Sequence, residues 1–179
     1  GVGIVDAVGS GVDSEWIGKR VILNAAVDQE QGGKPGVRPA GEDFTLVGEH
    51  GSGCLAEYFV APATHVLDIG DTDPIEAAAF GLVHLTAWRM LVTKARIQPG
   101  MTVLVPGIGG GVALASLGIA LYHSCNVIVT SRSQEKIDRA LSIGAHHGIL
   151  DEGQDFSKEV RKHTAGRGCD ICAESVGKA

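Results

Sequence analysis

The chain has 179 residues, 44% hydrophobic, 20% charged and 4% aromatic, with 26 glycines and a mean hydropathy of +0.15; this suits a soluble globular α/β protein with one good core and part of a second, not an aromatic-rich all-β sandwich. Fifteen Lys+Arg against 21 Asp+Glu give a net charge of -6 with no basic run, so the electrostatic footprint of a nucleic-acid or anionic-membrane partner is missing. The longest apolar stretch, residues 112–122, is too short to span a bilayer and is interrupted by Ser116 and Gly118, so it reads as a buried helix and no membrane segment is expected.

In chain order, residues 1 to about 70 read as β-rich. Strands are expected at 2–8, 20–23, 55–60 and 65–67, separated by Gly, Asp and Pro turns. Between them, residues 27–53 form a long polar excursion, of a length unusual in a loop without a function or mobility. The grammar changes at Asp73, which is placed to cap a helix that has Pro74 at its first position and Glu76 in its first turn. A helical region follows to about Ala95, with Gly81 dividing it in two.

After the turn Gln98-Pro99-Gly100 the pattern alternates: strand 102–106, helix 110–122, strand 126–130, helix 134–143, strand 147–150, helix 156–165, strand 170–174. Such alternation implies parallel strands joined by right-handed crossovers. Ser133 is placed to cap the helix at 134, with Ile137, Ala140 and Leu141 as its apolar stripe and Gly144 at its left-handed end. Asp155 and Gly166 bracket the next helix.

The strand at 102 is almost wholly apolar, as a central parallel strand covered on both faces must be. Gly107, Gly109, Gly110 and Gly111 follow at once, then Val112 and Ala113. Glycines there allow a tight turn, let the backbone approach a pyrophosphate and aim the next helix's N-terminus at its charge. Ala113, Ala115, Gly118 and Ala120 let that helix lie close to the sheet. The spacing does not fit a G-x-G-x-x-G frame cleanly; strand, turn and helix in succession give the motif its weight. A plain structural turn is the alternative.

The end of the second strand selects the dinucleotide. An acidic residue there suits NAD, whereas a small polar residue and a cation suit the 2′-phosphate of NADP. Ser131 and Arg132, with Lys136 a turn later, point to NADP(H), the alternative being that Arg132 and Lys136 are ordinary surface charges.

With these residues in view the chain resembles the medium-chain dehydrogenase/reductase superfamily, near its quinone oxidoreductase and zinc-type alcohol dehydrogenase-like branches. The matching stretches are Gly3-Ile4-Val5-Asp6-Ala7-Val8-Gly9 with Ile17-Gly18-Lys19-Arg20-Val21, Gly53-Cys54-Leu55-Ala56-Glu57-Tyr58-Phe59-Val60, Leu85-Thr86-Ala87-Trp88, Gln98-Pro99-Gly100, the loop 107–113, Glu135-Lys136-Ile137 and Gly144-Ala145. The resemblance implies an α/β chain with part of a β-rich GroES-like catalytic domain over 1–95. A Rossmann-type cofactor domain over 96–179 would follow, its parallel sheet incomplete at its C-terminal end. Both ends of the chain look cut. The resemblance also places Thr86 and His84 near the nicotinamide, Thr86 as a cofactor contact and His84 as a candidate for substrate or proton transfer; hydrogen bonding within the core is the alternative for both.

Two departures speak against zinc. The 27–53 excursion, which corresponds to the cysteine-bearing structural zinc lobe, has no cysteine, and Leu82 stands where the resemblance places a catalytic zinc cysteine. Cys169 and Cys172 are expected to be buried structural cysteines on opposite strand faces rather than a redox or metal pair. Glu49-His50 and His146-His147 are expected to be surface or turn residues.

The expectation is therefore an NADP(H)-dependent, zinc-free oxidoreductase acting on an activated C=C or carbonyl of a small molecule. The alternatives are a zinc-dependent alcohol dehydrogenase with ligands upstream of Gly1, and a non-catalytic NADP(H)-binding relative. Four cysteines and no leader segment suggest a cytoplasmic setting, and a homodimer is held open as the assembly.

Overall fold

The structure is a computed structural model that describes residues 1–28, 44–153 and 155–177. The chain divides into two compact units, Gly1–Leu82 and Val83–Ala179. The division falls inside a helix, earlier than the expected boundary after residue 95.

In the first unit, β1 (Val2–Ile4), β2 (Arg20–Leu23) and β5 (Val66–Asp68) form an antiparallel sheet in the order β1-β2-β5. Val21 and Leu23 alternate inward along β2, as one buried sheet face requires. A second antiparallel pair joins β3 (Ala26–Asp28) and β4 (Phe44–Leu46) within the stretch read as a polar excursion. The rest of that excursion, including Gly32 and Pro35, lies outside the described residues. β1 ends at Ile4, well short of Val8, and residues 55–60 are not a strand at all: Leu55 and Val60 are almost fully exposed.

The helix α1 (Pro74–Trp88) starts as expected, with an Asp73 carboxylate oxygen accepting from the Ile75 and Glu76 N–H groups at 2.8 and 3.0 Å. Gly81 does not divide it. A Cβ at 81 would lie 2.7 Å from Ile22 Cδ1, so the glycine serves a close approach to β2 instead of a break. π-helical turns continue it over Arg89–Lys94, where the Ala95 N–H reaches back to the Met90 carbonyl. The run Pro74–Lys94 has 21 residues and a mean hydropathy of 1.3, long and apolar enough to cross a membrane by length and composition. This run is longer than residues 112–122, the stretch read from the sequence, and length and composition alone are weak evidence of a membrane span.

The second unit holds the parallel sheet. Strands β6 (Thr102–Val105), β7 (Asn126–Ser131), β8 (His147–Leu150) and β9 (Ile171–Cys172) lie in the order β8-β7-β6-β9, joined by α2 (Gly111–Tyr122), α3 (Gln134–Ile143) and α4 (Ser157–Lys162). The chain moves outward from β6 to β8, then crosses back so that β9 pairs with the other side of β6. The crevice at the carboxyl ends of β6 and β9 is thus a topological switch point, where open α/β sheets bind ligands. All four β6 residues are buried, and Ala113, Ala115, Leu117 and Ala120 of α2 pack into the same core as Val103, Val105, Val127 and Val129. Gly118 is exposed with open space around it, contrary to its expected place against the sheet.

Helix α3 buries Ile137 and Ala140 and ends on Gly144 at φ +124, but Leu141 is partly exposed and the Ser133 hydroxyl does not cap. Gly148 of β8 sits against α3. A Cβ there would lie 2.2 Å from Cγ2 of the buried Ile137, so Gly148→Val overpacks the core. We expect it to lower stability by about 1–3 kcal/mol, measured as a lower denaturant midpoint at unchanged slope; a wild-type midpoint would refute this packing.

Candidate cofactor site

β6 ends at Val105, and the chain turns through Pro106 to Gly107 at φ +65 and Gly109 at φ +120, a region L side chains rarely adopt. The carboxyl end of β7 holds this turn: the Thr130 carbonyl accepts from the Ile108 N–H at 2.8 Å, and the buried Thr130 hydroxyl from the Gly107 N–H at 3.4 Å. Helix α2 then opens with Gly110 as its N-cap. Glycine has no side chain to satisfy the first N–H groups of the helix, so those of Gly111, Val112 and Ala113 are presented with the positive end of the helix dipole.

Around the loop, the glycines are used in different ways. A Cβ at Gly107 would lie 2.5 Å from Val176 Cγ2, past the end of β9, and one at Gly111 would lie 2.8 Å from Val83 Cγ1 of α1. At Gly109 the neighbour is Lys136, whose Cδ, Cε and Nζ would lie 2.7, 3.2 and 3.4 Å away, so its stem crosses the loop and its ammonium stands beside it. Around Gly110 nothing lies within 4 Å and φ is -82°. A cradle whose backbone is pressed close on three positions and open on the fourth fits a pyrophosphate approached by main-chain donors.

The residues named from the sequence fall around this cradle. Ser131 ends β7 nearly buried; its hydroxyl oxygen accepts from the Ser133 N–H at 3.2 Å, leaving its proton to donate. Arg132 is exposed beside it. Val83 brings α1 to the start of α2, and Thr86 lies three residues further on, on the same helix face as Val83; His84, half-buried, is turned about 100° from it. Thr86 and His84 each have an interaction within the fold. Sequence reasoning missed Thr130, Val83 and the turn after β9. In that turn a Glu174 carboxylate oxygen accepts from the Gly177 N–H at 3.1 Å, bringing Val176 to the loop. Only the strand order β6-β9 could have signalled that meeting.

The other candidates resolve differently. His50 Nδ1 accepts from the Leu46 N–H and His146 Nδ1 from the Val127 N–H, both at 3.0 Å, so both imidazoles fasten turns, as expected. Cys169 and Cys172 are free thiols; Cys169 is half-buried, but Cys172 is exposed, which corrects the expectation of two buried cysteines. The Cys172 thiol is held above its ordinary pKa first by partial burial, although the residue as a whole is exposed, then by Cys169 and Glu174; such a thiol is a poor nucleophile.

A family model described as a zinc-binding dehydrogenase matches residues 111–179, and one described as an alcohol dehydrogenase GroES-like domain matches residues 1–71. The 2-haloacrylate reductase of a Burkholderia species is 33% identical over 163 residues, covering 86% of this chain and 47% of the relative. The quinone oxidoreductase of Rattus norvegicus is 28% identical over 175 residues, 97% of this chain and 46% of its own. Among solved structures, an NAD-dependent alcohol dehydrogenase superposes with a TM-score of 0.85 at 36% identity, over 96% of this chain and 51% of that one. The chain thus spans about half the length of the relatives it matches.

The first family description raises a metal. Among the described residues no three His, Cys, Asp or Glu side chains gather to hold an ion, and Leu82 has no donor atom. A catalytic zinc takes three protein ligands, so the donor set of these residues does not fit one.

Proposed function

Because the chain belongs to the medium-chain dehydrogenase/reductase superfamily, we propose that it carries the cofactor cradle of an NADP(H)-dependent, zinc-free oxidoreductase that reduces an activated C=C or carbonyl of a small molecule. The observation carrying this is the glycine loop at the β6/β9 switch point, with α2's first N–H groups, Lys136, Ser131 and Arg132 around it. A nicotinamide held there would supply the hydride. The chain's part is to seat the pyrophosphate on the Gly109–Gly111 backbone, hold the 2′-phosphate between Ser131 and Arg132, and place Val176 and Thr86 toward the nicotinamide end. His84 is the candidate for handing a proton to the reduced substrate.

Relatives named for reducing 2-haloacrylate and for quinone oxidoreduction support an activated acceptor. One structural neighbour is named NAD-dependent, so cofactor choice is the point to test. NADPH and NADH are titrated into the chain by fluorescence, then quinones, enones and alcohols are supplied. NADPH is expected to bind more tightly than NADH, with turnover of quinones or enones; binding of neither dinucleotide at submillimolar concentration would overturn the reading. Cofactor binding without turnover favours a non-catalytic relative, and one tightly held zinc per chain favours the alcohol dehydrogenase reading. The partners proposed are a small-molecule substrate and a second copy, in the cytoplasm. The apolar run Pro74–Lys94 leaves Ile75, Phe80 and Leu82 exposed; because the chain overlays a dehydrogenase structure over 96% of its length, that face is read as one covered by the rest of such a protein and not by a membrane.

A further inference from the structure

The first residues of three parallel strands, Thr102 of β6, Asn126 of β7 and His147 of β8, open together on a cleft of about 300 Å³ at the amino end of the sheet. The glycine loop lies at the other end of the same strands. The cleft's remaining walls are Ile128 of β7 and, from the end of α4 and the loop beyond it, His163, Thr164, Ala165 and Arg167, and none of the lining residues is acidic. The His147 and His163 rings are stacked, with centroids 4.1 Å apart and planes 21° from parallel. Three main-chain donors of this loop are already used: the Gly166 and Arg167 N–H groups bond to the Arg161 and Thr164 carbonyls, and that of Gly168 to the Thr164 hydroxyl. Asp170 sits next to Thr102 with one carboxylate oxygen accepting from the Thr102 N–H at 2.7 Å. The side chains that face the cleft include a guanidinium, two imidazoles and the Asn126 amide.

We propose that this cleft binds a small phosphate-type anion, either free orthophosphate or the head of a phosphate monoester, held by Arg167 with the imidazole N–H groups of His147 and His163. A guanidinium fork matches tetrahedral oxyanions, and a stacked imidazole pair accepts a second charge only when an anion offsets it. His147 faces burial first, then His163 and His146, all of which hold its pKa below the usual value; an adjacent anion acts in the opposite direction. Binding is therefore coupled to proton uptake and tightens in acid.

Sulfate is the decisive probe because its charge is fixed over the range in which imidazoles titrate. It is titrated into the chain while the His147 and His163 ring protons are followed by NMR, with inorganic phosphate and glycerol phosphate as parallel arms that separate the free ion from the ester. The expected result is saturable shifts at both histidines, an affinity that rises roughly tenfold between about pH 7.5 and 6, and a loss of about tenfold or more in Arg167→Met. Arg167 is exposed, so that variant folds; His163→Gln is the second. Arg139→Ala, exposed on α3 and outside the cleft lining, keeps the wild-type sulfate affinity. Unsaturable shifts, shifts confined to residues 107–113, or wild-type affinity in both Arg167→Met and His163→Gln overturn the assignment.

Discussion

Arg132→Ala should weaken NADPH binding by roughly 10- to 100-fold while changing NADH binding by no more than about twofold. The estimate follows from one hydrogen bond to a charged group, about 1.5–3 kcal/mol, at about 1.4 kcal/mol per factor of ten. Arg132 is exposed at the exit of β7, directly after Ser131, so its charge faces solvent and the NADPH penalty should shrink as salt is raised. Lys136→Met is the internal control. Its ammonium stands beside Gly109, which places it nearer the pyrophosphate, so its loss should weaken both dinucleotides alike. Fluorescence titration of both variants with both cofactors separates the roles. Equal weakening of NADPH and NADH by Arg132→Ala would remove the 2′-phosphate from this position, and the NAD-dependent structural neighbour would become the better guide.

How far the sequence could be read depends on whether a residue's environment is local. The unit β6-α2-β7-α3-β8 was legible because a buried parallel strand has to be apolar along its length and the helices between carry their own caps, such as Gly144. Asp73 capping α1 was legible for the same reason. Residues 55–60 misled because their apolar content resembles a strand, yet a strand forms only when its backbone groups find a partner edge, and no strand in the described residues pairs with them.

Gly81 misled in the opposite direction. Glycine weakens a helix by roughly 1 kcal/mol, but whether it breaks one depends on what lies opposite, here Ile22, a neighbour far away in sequence. The site shows the same divide. Ser131, Arg132 and Lys136 are read from one strand end and one helix start. Val83 and Val176 enter the loop from elements far removed in the chain, and no local pattern marks them.

Gly110→Val should abolish dinucleotide binding while leaving the fold intact, and this is the substitution that separates a phosphate cradle from a turn that merely needs glycine. At Gly107 and Gly109 the two readings cannot be told apart, since positive φ makes any side chain costly whether or not a ligand binds. At Gly111 a side chain collides with Val83, so a variant there loses packing first. Gly110 has neither constraint. Its φ of -82° and ψ of 156° suit any residue, and nothing lies within 4 Å of its Cβ position. A valine there gives up the glycine N-cap of α2 and is expected to lower the unfolding free energy by about 1 kcal/mol, too little to unfold the domain. Yet it would stand in the open side of the cradle, where a pyrophosphate must come close to the first N–H groups of α2. The expected loss is at least about 100-fold in the affinity of both NADPH and NADH, about 2.7 kcal/mol, with the thermal transition of the unliganded protein lowered by only about 2–4 °C. If Gly110→Val binds both cofactors as wild type does, the open position is not where the phosphates sit.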